Sequence, residues 1–463
     1  MATGGNFLLA PMYLRLLSAE EYGAWSQFGL MLQFLQPIMC WGLLATMARL
    51  LVDTDNDTRA RKIAAALKMV TVLNVALLLL VIAITQQRFW PPLVAKQILQ
   101  LMPFAVLAAG LAAYPSILMG TYVAHGKALQ YRSLSLVGFI LQAGTLGACA
   151  SQVMMDARMA IFSMLVGAGA YAALSAYQLV RAAKWRVGLY EYKALLMFGG
   201  PVVLYTTAGQ SSEFATRYVL ATKVTGADFG AFSAGMIYAS VIAMVSSAIN
   251  LAWTPLFYRH AQEWMALGVY RLYVDVFAAC MATCGAFLIV FSDELLALYS
   301  GGNVSLDVSI VGALVISAWL NSAIWMSLSN PIFHQNRSRT VLAIVLLSIG
   351  IAMPIALLLI SRNGIYGAAI ALLFNAFVLC LIAALALRKI RDSNLNYSKL
   401  FIFLFLLVCI SSPIMNSLYN QPSGLKRLAE KSLLFAAFAA ATVLPIARSG
   451  RNVLRIIEGG GAR

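Results

Sequence analysis

The sequence predicts an all-α, polytopic membrane protein of about 14 transmembrane helices. It predicts two six-helix lobes related by an internal repeat, followed by two more helices. Three observations carry this. First, 61% of the 463 residues are hydrophobic, only 11% are charged, and the mean hydropathy is +0.82; soluble domains carry roughly a quarter charged residues. Second, apolar runs of the ~20-residue length that crosses a bilayer recur along the whole chain. Third, residues 22–26 read Tyr-Gly-Ala-Trp-Ser and residues 229–233 read Phe-Gly-Ala-Phe-Ser, an offset of 207 (229 minus 22).

In chain order the apolar runs are 4–17, 23–47, 63–86, 98–122, 134–153, 159–180, 194–221, 228–253, 272–291, 308–330, 340–360, 365–387, 400–418 and 432–446. Each repeat segment opens the second span of its half. The same offset sets the sixth span, ending at Arg181, on the twelfth, ending at Arg388. The expected organisation is therefore an N-terminal lobe over 1–193, a second lobe over 194–392, and two further helices with a basic tail over 393–463. Parallel six-helix repeats are a transporter arrangement with the substrate site between the halves.

The net charge of +16 does not point to nucleic acid, because the cations are scattered between apolar spans and no nucleic-acid-binding motif accompanies them. They read as topology signals. With the N-terminus inside, 22 of the 33 Lys and Arg fall in the connections and tail on that side, and 8 on the other. Arg15, Lys68 and Arg217 lie within spans or at their edges. Cytoplasmic termini are the expected topology.

The seventh span carries the most distinctive chemistry. Thr206, Gln210, Glu213 and Arg217 recur at spacings of four, three and four, which places them on one helix face. Ionisable groups in a spanning helix cost about 2.5–3.5 kcal/mol each on insertion scales, so they face a bundle interior or a wet cavity. Either Arg217 lines a substrate cavity, or the Glu213–Arg217 pair neutralises itself and pins two helices. Arg15, Arg49 and Lys68 are further cations near span ends, where anchoring and topology compete with a binding role. Gln33 and Gln36 in the second span, Ser246 and Asn250 in the eighth, Asn321, Ser322 and Trp325 in the tenth, and Asn375 in the twelfth offer hydrogen bonds and an aromatic face to a polar substrate. Helix packing uses the same residue types.

Several short motifs resemble one family. Leu16-Leu17-Ser18-Ala19-Glu20-Glu21-Tyr22-Gly23 is similar to the signature after the first helix of polysaccharide flippases, members of the multidrug/oligosaccharidyl-lipid/polysaccharide (MOP) exporter superfamily. Gly200-Pro201, Thr216-Arg217-Tyr218 with Gly226 and Phe229-Gly230, and Gly364 with Gly367-Ala368-Ala369 resemble its seventh- and twelfth-span motifs. Thr216 stands where the family has Asp, and Glu213 lies one turn earlier. The resemblance implies alternating-access translocation of undecaprenyl-diphosphate-linked oligosaccharide, a repeat unit of O-antigen, capsule or exopolysaccharide, across the bacterial inner membrane. It also implies association with glycosyltransferases and the polymerase of the same pathway. The substrate-binding candidates are then Arg15, Arg49, Lys68, Gln33, Gln36, Gln210, Glu213, Arg217, Asn250 and Trp325. Arg suits a diphosphate because its planar fork binds phosphate bidentately and keeps its charge.

Two other classes remain open. A multidrug exporter of the same superfamily would favour acids in the cavity, whereas Glu213 and Asp275 face a larger set of cations at membrane depth. A membrane enzyme of glycan assembly would need a long outer loop, and the longest are near 292–307 and 419–431. His125, His260 and His334 are far apart, and the six Cys lie in spans. Neither metal nor cofactor is expected. The stretch 120–128 has the wrong spacing for a phosphate loop.

Overall fold

The computed structural model describes residues 2–51, 54–86, 96–124, 128–152, 155–266, 268–335, 338–388, 397–411 and 427–442. His125, Asn416 and the basic tail beyond 446 lie outside them. Among the described residues the secondary structure is helical, without strands, and nine helices are long and apolar enough to cross a membrane. This is a polytopic all-α membrane protein. Contacts group the chain into two compact units, Met1–Gly230 and Ala231–Arg463. That division describes packing and is a different quantity from the repeat boundary at 193/194.

The first unit holds α1 (Ala2–Leu16), α2 (Ala19–Met39), α3 (Leu43–Leu50), α4 (Asn56–Gln86), α5 (Lys96–Leu111), α6 (Ala113–Ala124), α7 (Ala128–Gln152), α8 (Ala157–Ala182), α9 (Leu189–Lys223) and the start of α10 (Gly226–Ala266). Ser18 caps α2 by accepting from the Glu21 amide at 3.3 Å, which satisfies an otherwise orphaned donor. The predicted second span is not one straight helix. It breaks between α2 and α3, where Trp41 and Gly42 take φ of 49° and 60°. The break falls there, beyond Pro37, because α9 presses on the turn. A Cβ on Gly42 would lie 2.9 Å from the Val202 side chain, and one on Gly199 would lie 2.8 Å from the Trp41 carbonyl. The predicted fourth span is likewise divided, into α5 and α6.

The two repeat segments meet each other. A Cβ on Gly23 of α2 would lie 2.1 Å from the Gly226 carbonyl oxygen, and one on Gly230 would lie 2.7 Å from the Ala19 carbonyl oxygen. The 207 offset maps Gly23 onto Gly230 and Ala19 onto Gly226. The contact is therefore reciprocal. Only glycine lets two helix backbones approach this closely.

The second unit holds the rest of α10, α11 (Val269–Val290), α12 (Ser292–Ser300), α13 (Val308–Trp319), α14 (Trp325–His334), α15 (Ser338–Arg388), α16 (Tyr397–Ser411) and a helix over 427–442, here α17. Between α13 and α14, Leu320–Ile324 forms a π-helical turn. Trp319, fully buried, donates its indole N–H to the Ala278 carbonyl at 3.0 Å and ties α13 to α11. α15 contains two predicted spans. They are separated at Gly364 (φ 53°, ψ −122°), a conformation open to glycine. The last two helices pack onto this unit. Lys399 of α16 pairs with Asp275 at 2.7 Å. On α17, Thr442 shares a 3.0 Å hydrogen bond with Thr283, and Phe435 sets its edge on Phe287 and Phe291. Buried Lys431 lies 2.9 Å from Glu294 and 3.5 Å from Asp293, and Arg427 also pairs with Asp293. Burial works to raise the Glu294 carboxyl, but the hydrogen bond and charge of Lys431 hold it below the ordinary glutamate value.

The glycine contact gives a sharp test. Gly23→Ala should lower the melting temperature and yield of the purified protein, because α2 and α10 must separate. Gly29→Ala, in the same helix with nothing within 4 Å of the new Cβ, should cause no loss. Thermal unfolding in micelles measures both.

Candidate functional site

The ionisable pair in the first unit lies where α2 and α9 run side by side. Arg217 is buried, 8% exposed. Its Nη1 donates to Glu213 Oε1 at 3.3 Å and to Gln33 Oε1 at 3.5 Å. Gln33 then donates from Nε2 to Gln210 Oε1 at 3.0 Å. One amide of α2 thus joins two side chains of α9, accepting from the cation and donating to the second amide. Stacked Phe34 and Phe214, with ring centroids 4.4 Å apart, flank the chain of polar groups, and Phe214 stacks on Tyr218. The apolar surround strengthens each electrostatic contact. It also raises the cost of leaving any of these groups unpaired.

The arrangement joins four sequence-derived candidates, Gln33, Gln210, Glu213 and Arg217. Thr206 shares their face, but its hydroxyl donates to the Val202 carbonyl of its own helix at 2.8 Å. A short hydroxyl in a helix reaches its own backbone more easily than a neighbour. The Glu213 side chain keeps 30% of its surface exposed against 9% for Arg217. The carboxylate is therefore the more accessible of the two groups. Chemically this is a buried cation paired with a part-exposed carboxylate.

The other candidates are placed elsewhere. Arg15 is exposed in the last turn of α1. Arg49 is exposed in the last turn of α3, with its guanidinium 5.1 Å from the centroid of the Phe198 ring. Lys68 donates to the Trp185 carbonyl at 3.0 Å and sits 5.8 Å from the centroid of that ring, clamping the α8–α9 connection to α4. The Gln36 side chain is half-buried, and the Gln36 backbone carbonyl accepts the Cys40 amide where α2 ends. In the second unit, Asn250 accepts from Asn330 Nδ2 at 3.0 Å. Trp325 is buried directly after the π-helical turn, a device often found at functional sites. Gly120 stands inside α6, where a Cβ would lie 2.7 Å from the Leu44 carbonyl. Its role is close packing against α3.

Sequence spacing missed Asn330. It also missed a buried network in which Tyr13 Oη shares a 3.1 Å hydrogen bond with Ser163 and accepts from Gln142 at 3.1 Å. A glutamine in the middle of an apolar span was the available signal for the second.

The relation to known proteins comes from shape. No family model matches the chain, and no curated protein sequence matches it. Among solved structures, the chain resembles lipid II flippase MurJ in an inward closed conformation, with a TM-score of 0.73 at 8% identity over 96% of this chain and 98% of that one. It also resembles an inward-facing multidrug resistance MATE family transporter of the MOP superfamily, with a TM-score of 0.70 at 13% identity over 84% of this chain and 94% of that one. The Vibrio cholerae MATE transporter VcmN gives a TM-score of 0.50 at 14% identity over 89% and 100%. The chain shares the fold of these solved structures. At such identities the likeness is one of architecture alone.

If Gln33 bridges α2 and α9 as described, Gln33→Leu and Gln210→Leu should be energetically coupled. A double-mutant cycle on unfolding in micelles should return about 0.6 kcal/mol, with ~1.7 kcal/mol as the upper range for such interhelical bonds.

Proposed function

We propose that this protein is an alternating-access flippase of the bacterial inner membrane, with both termini in the cytoplasm. Its cargo in this reading is a polyprenyl diphosphate-linked oligosaccharide, the undecaprenyl carrier of O-antigen, capsule or exopolysaccharide units. The observation that carries the reading is the buried Arg217, held by Glu213 of α9 and Gln33 of α2. A diphosphate crossing a ~30 Å hydrocarbon layer needs a shielded cation. Arg217 offers one whose carboxylate partner can be exchanged for phosphate oxygen. The architectural likeness to a lipid II flippase supports the same class. Glycosyltransferases and the polymerase of the pathway are the expected neighbours. The MATE likeness and the part-exposed Glu213 favour a second reading, an ion-coupled exporter of organic cations in which the carboxylate is the binding group.

Genetic complementation separates the two. A host lacking the gene should lose one surface polysaccharide, and wild type should restore it. Arg217→Ala at normal abundance should fail to do so, while Arg217→Lys should restore it in part, since charge survives without the fork. Intact surface glycans with heightened sensitivity to cationic drugs would establish the exporter reading instead.

A further inference from the structure

The connection between α8 and α9 combines charge, aromatic rings and exposure in a way the transport site does not use. Arg181, Lys184, Arg186 and Lys193 are all exposed within 13 residues. Beside them Trp185 is 48% exposed, Tyr190 76% and Leu189 88%. The nearby acids Glu191 and Asp57 are taken up by pairing. Glu191 is buried, accepts the Gly188 amide at 3.0 Å and lies 3.7 Å from Arg61. Asp57 pairs with Arg61 at 3.4 Å and with Lys184 at 2.5 Å. That leaves Arg181, Arg186 and Lys193 as an outward basic surface. Arg181 lies over the Tyr177 ring, 5.5 Å from its centroid, and donates to its hydroxyl.

The backbone beneath is fixed. The Lys184 amide donates to the Ala60 carbonyl at 3.1 Å, and Lys68 holds the Trp185 carbonyl. The connection is therefore a platform bound to α4. Its depth follows from the helices it joins. α8 is apolar enough to span a membrane and ends at Ala182. On the other side, exposed Leu196 and Met197 of α9 follow Lys193 within one turn. The stretch interleaves cations with Trp185 and Tyr190 and then runs into Leu196 and Met197, the residue types of a membrane boundary.

We infer that residues 181–193 form a docking surface for the headgroups of anionic glycerophospholipids. Arg181, Arg186 and Lys193 meet the phosphates, and Trp185 and Tyr190 seat at the boundary with the acyl chains. Charge complementarity and depth select this occupant. A cation near an anionic leaflet contributes about 1 kcal/mol, or roughly fivefold in affinity. The surface is independent of the cargo, so its test does not depend on the flippase reading.

The experiment uses the full chain in neutral micelles, titrated with dioleoyl phosphatidylglycerol or dioleoyl phosphatidylcholine and followed by thermal shift and native mass spectrometry. The Arg186→Gln/Lys193→Gln variant should bind phosphatidylglycerol roughly 20-fold more weakly and keep the wild-type response to phosphatidylcholine. Arg362→Gln, an exposed cation in the connection between the two arms of α15, should leave both unchanged. An unchanged phosphatidylglycerol affinity in the double variant would overturn the inference. So would equal weakening by Arg362→Gln, which would mean diffuse charge rather than a surface. Equal binding of both lipids by wild type would overturn it too. An unshifted melting temperature without lipid shows that the variant is folded.

Discussion

A charge inside a bilayer-spanning bundle must be compensated, and that constraint organises the first unit. Burying Arg217 forces an acceptor to be near, and α9 supplies Glu213 one turn away while α2 supplies Gln33. Removing one partner of a buried pair typically costs about 3–5 kcal/mol. The contacts that cross from α2 to α9 include those of Gln33 with Arg217 and Gln210, beside the stacked rings of Phe34 and Phe214. In the proposed flippase, this unit would offer an anionic headgroup a buried cation whose carboxylate partner is part-exposed.

The same two helices carry the other constraint. α2 meets the start of α10 through Gly23, Gly226 and Gly230, and meets α9 through the turn at Trp41–Gly42. α2 is thus held closely at one end by glycine contacts and at the other by a left-handed turn, with Gln33 between them. The reciprocity of the Gly23–Gly226 and Gly230–Ala19 approaches gives the repeat a physical meaning. Each copy of the motif supplies a backbone surface for the other, so neither can accept a side chain at its glycine.

Much of this was legible in the sequence, for reasons that differ element by element. The membrane class followed from composition, and most spans from their apolar runs, because bilayer thickness imposes a length that survives any packing detail. The face carrying Gln210, Glu213 and Arg217 followed from helical spacing. Its partner did not, since Gln33 is 184 positions from Arg217 and local spacing carries no signal over that distance. Thr206 kept the period but not the partnership, because its hydroxyl is too short to leave its own helix. For Lys68 the sequence left anchoring and binding open, and the structure sets its ammonium on the Trp185 carbonyl. The breaks at Trp41–Gly42 and the π-helical turn at Leu320–Ile324 depend on packing partners. Pro37, the local breaker in view, marked neither.

The claim on which the account rests is that Arg217 receives a phosphate-bearing lipid. Native mass spectrometry of the purified protein with undecaprenyl diphosphate and with undecaprenol measures this directly. The account predicts that the diphosphate binds well above the alcohol, and that Arg217→Gln removes the difference while leaving the fold intact. Equal binding of the two lipids by wild type, or an undiminished preference in the variant, would contradict it.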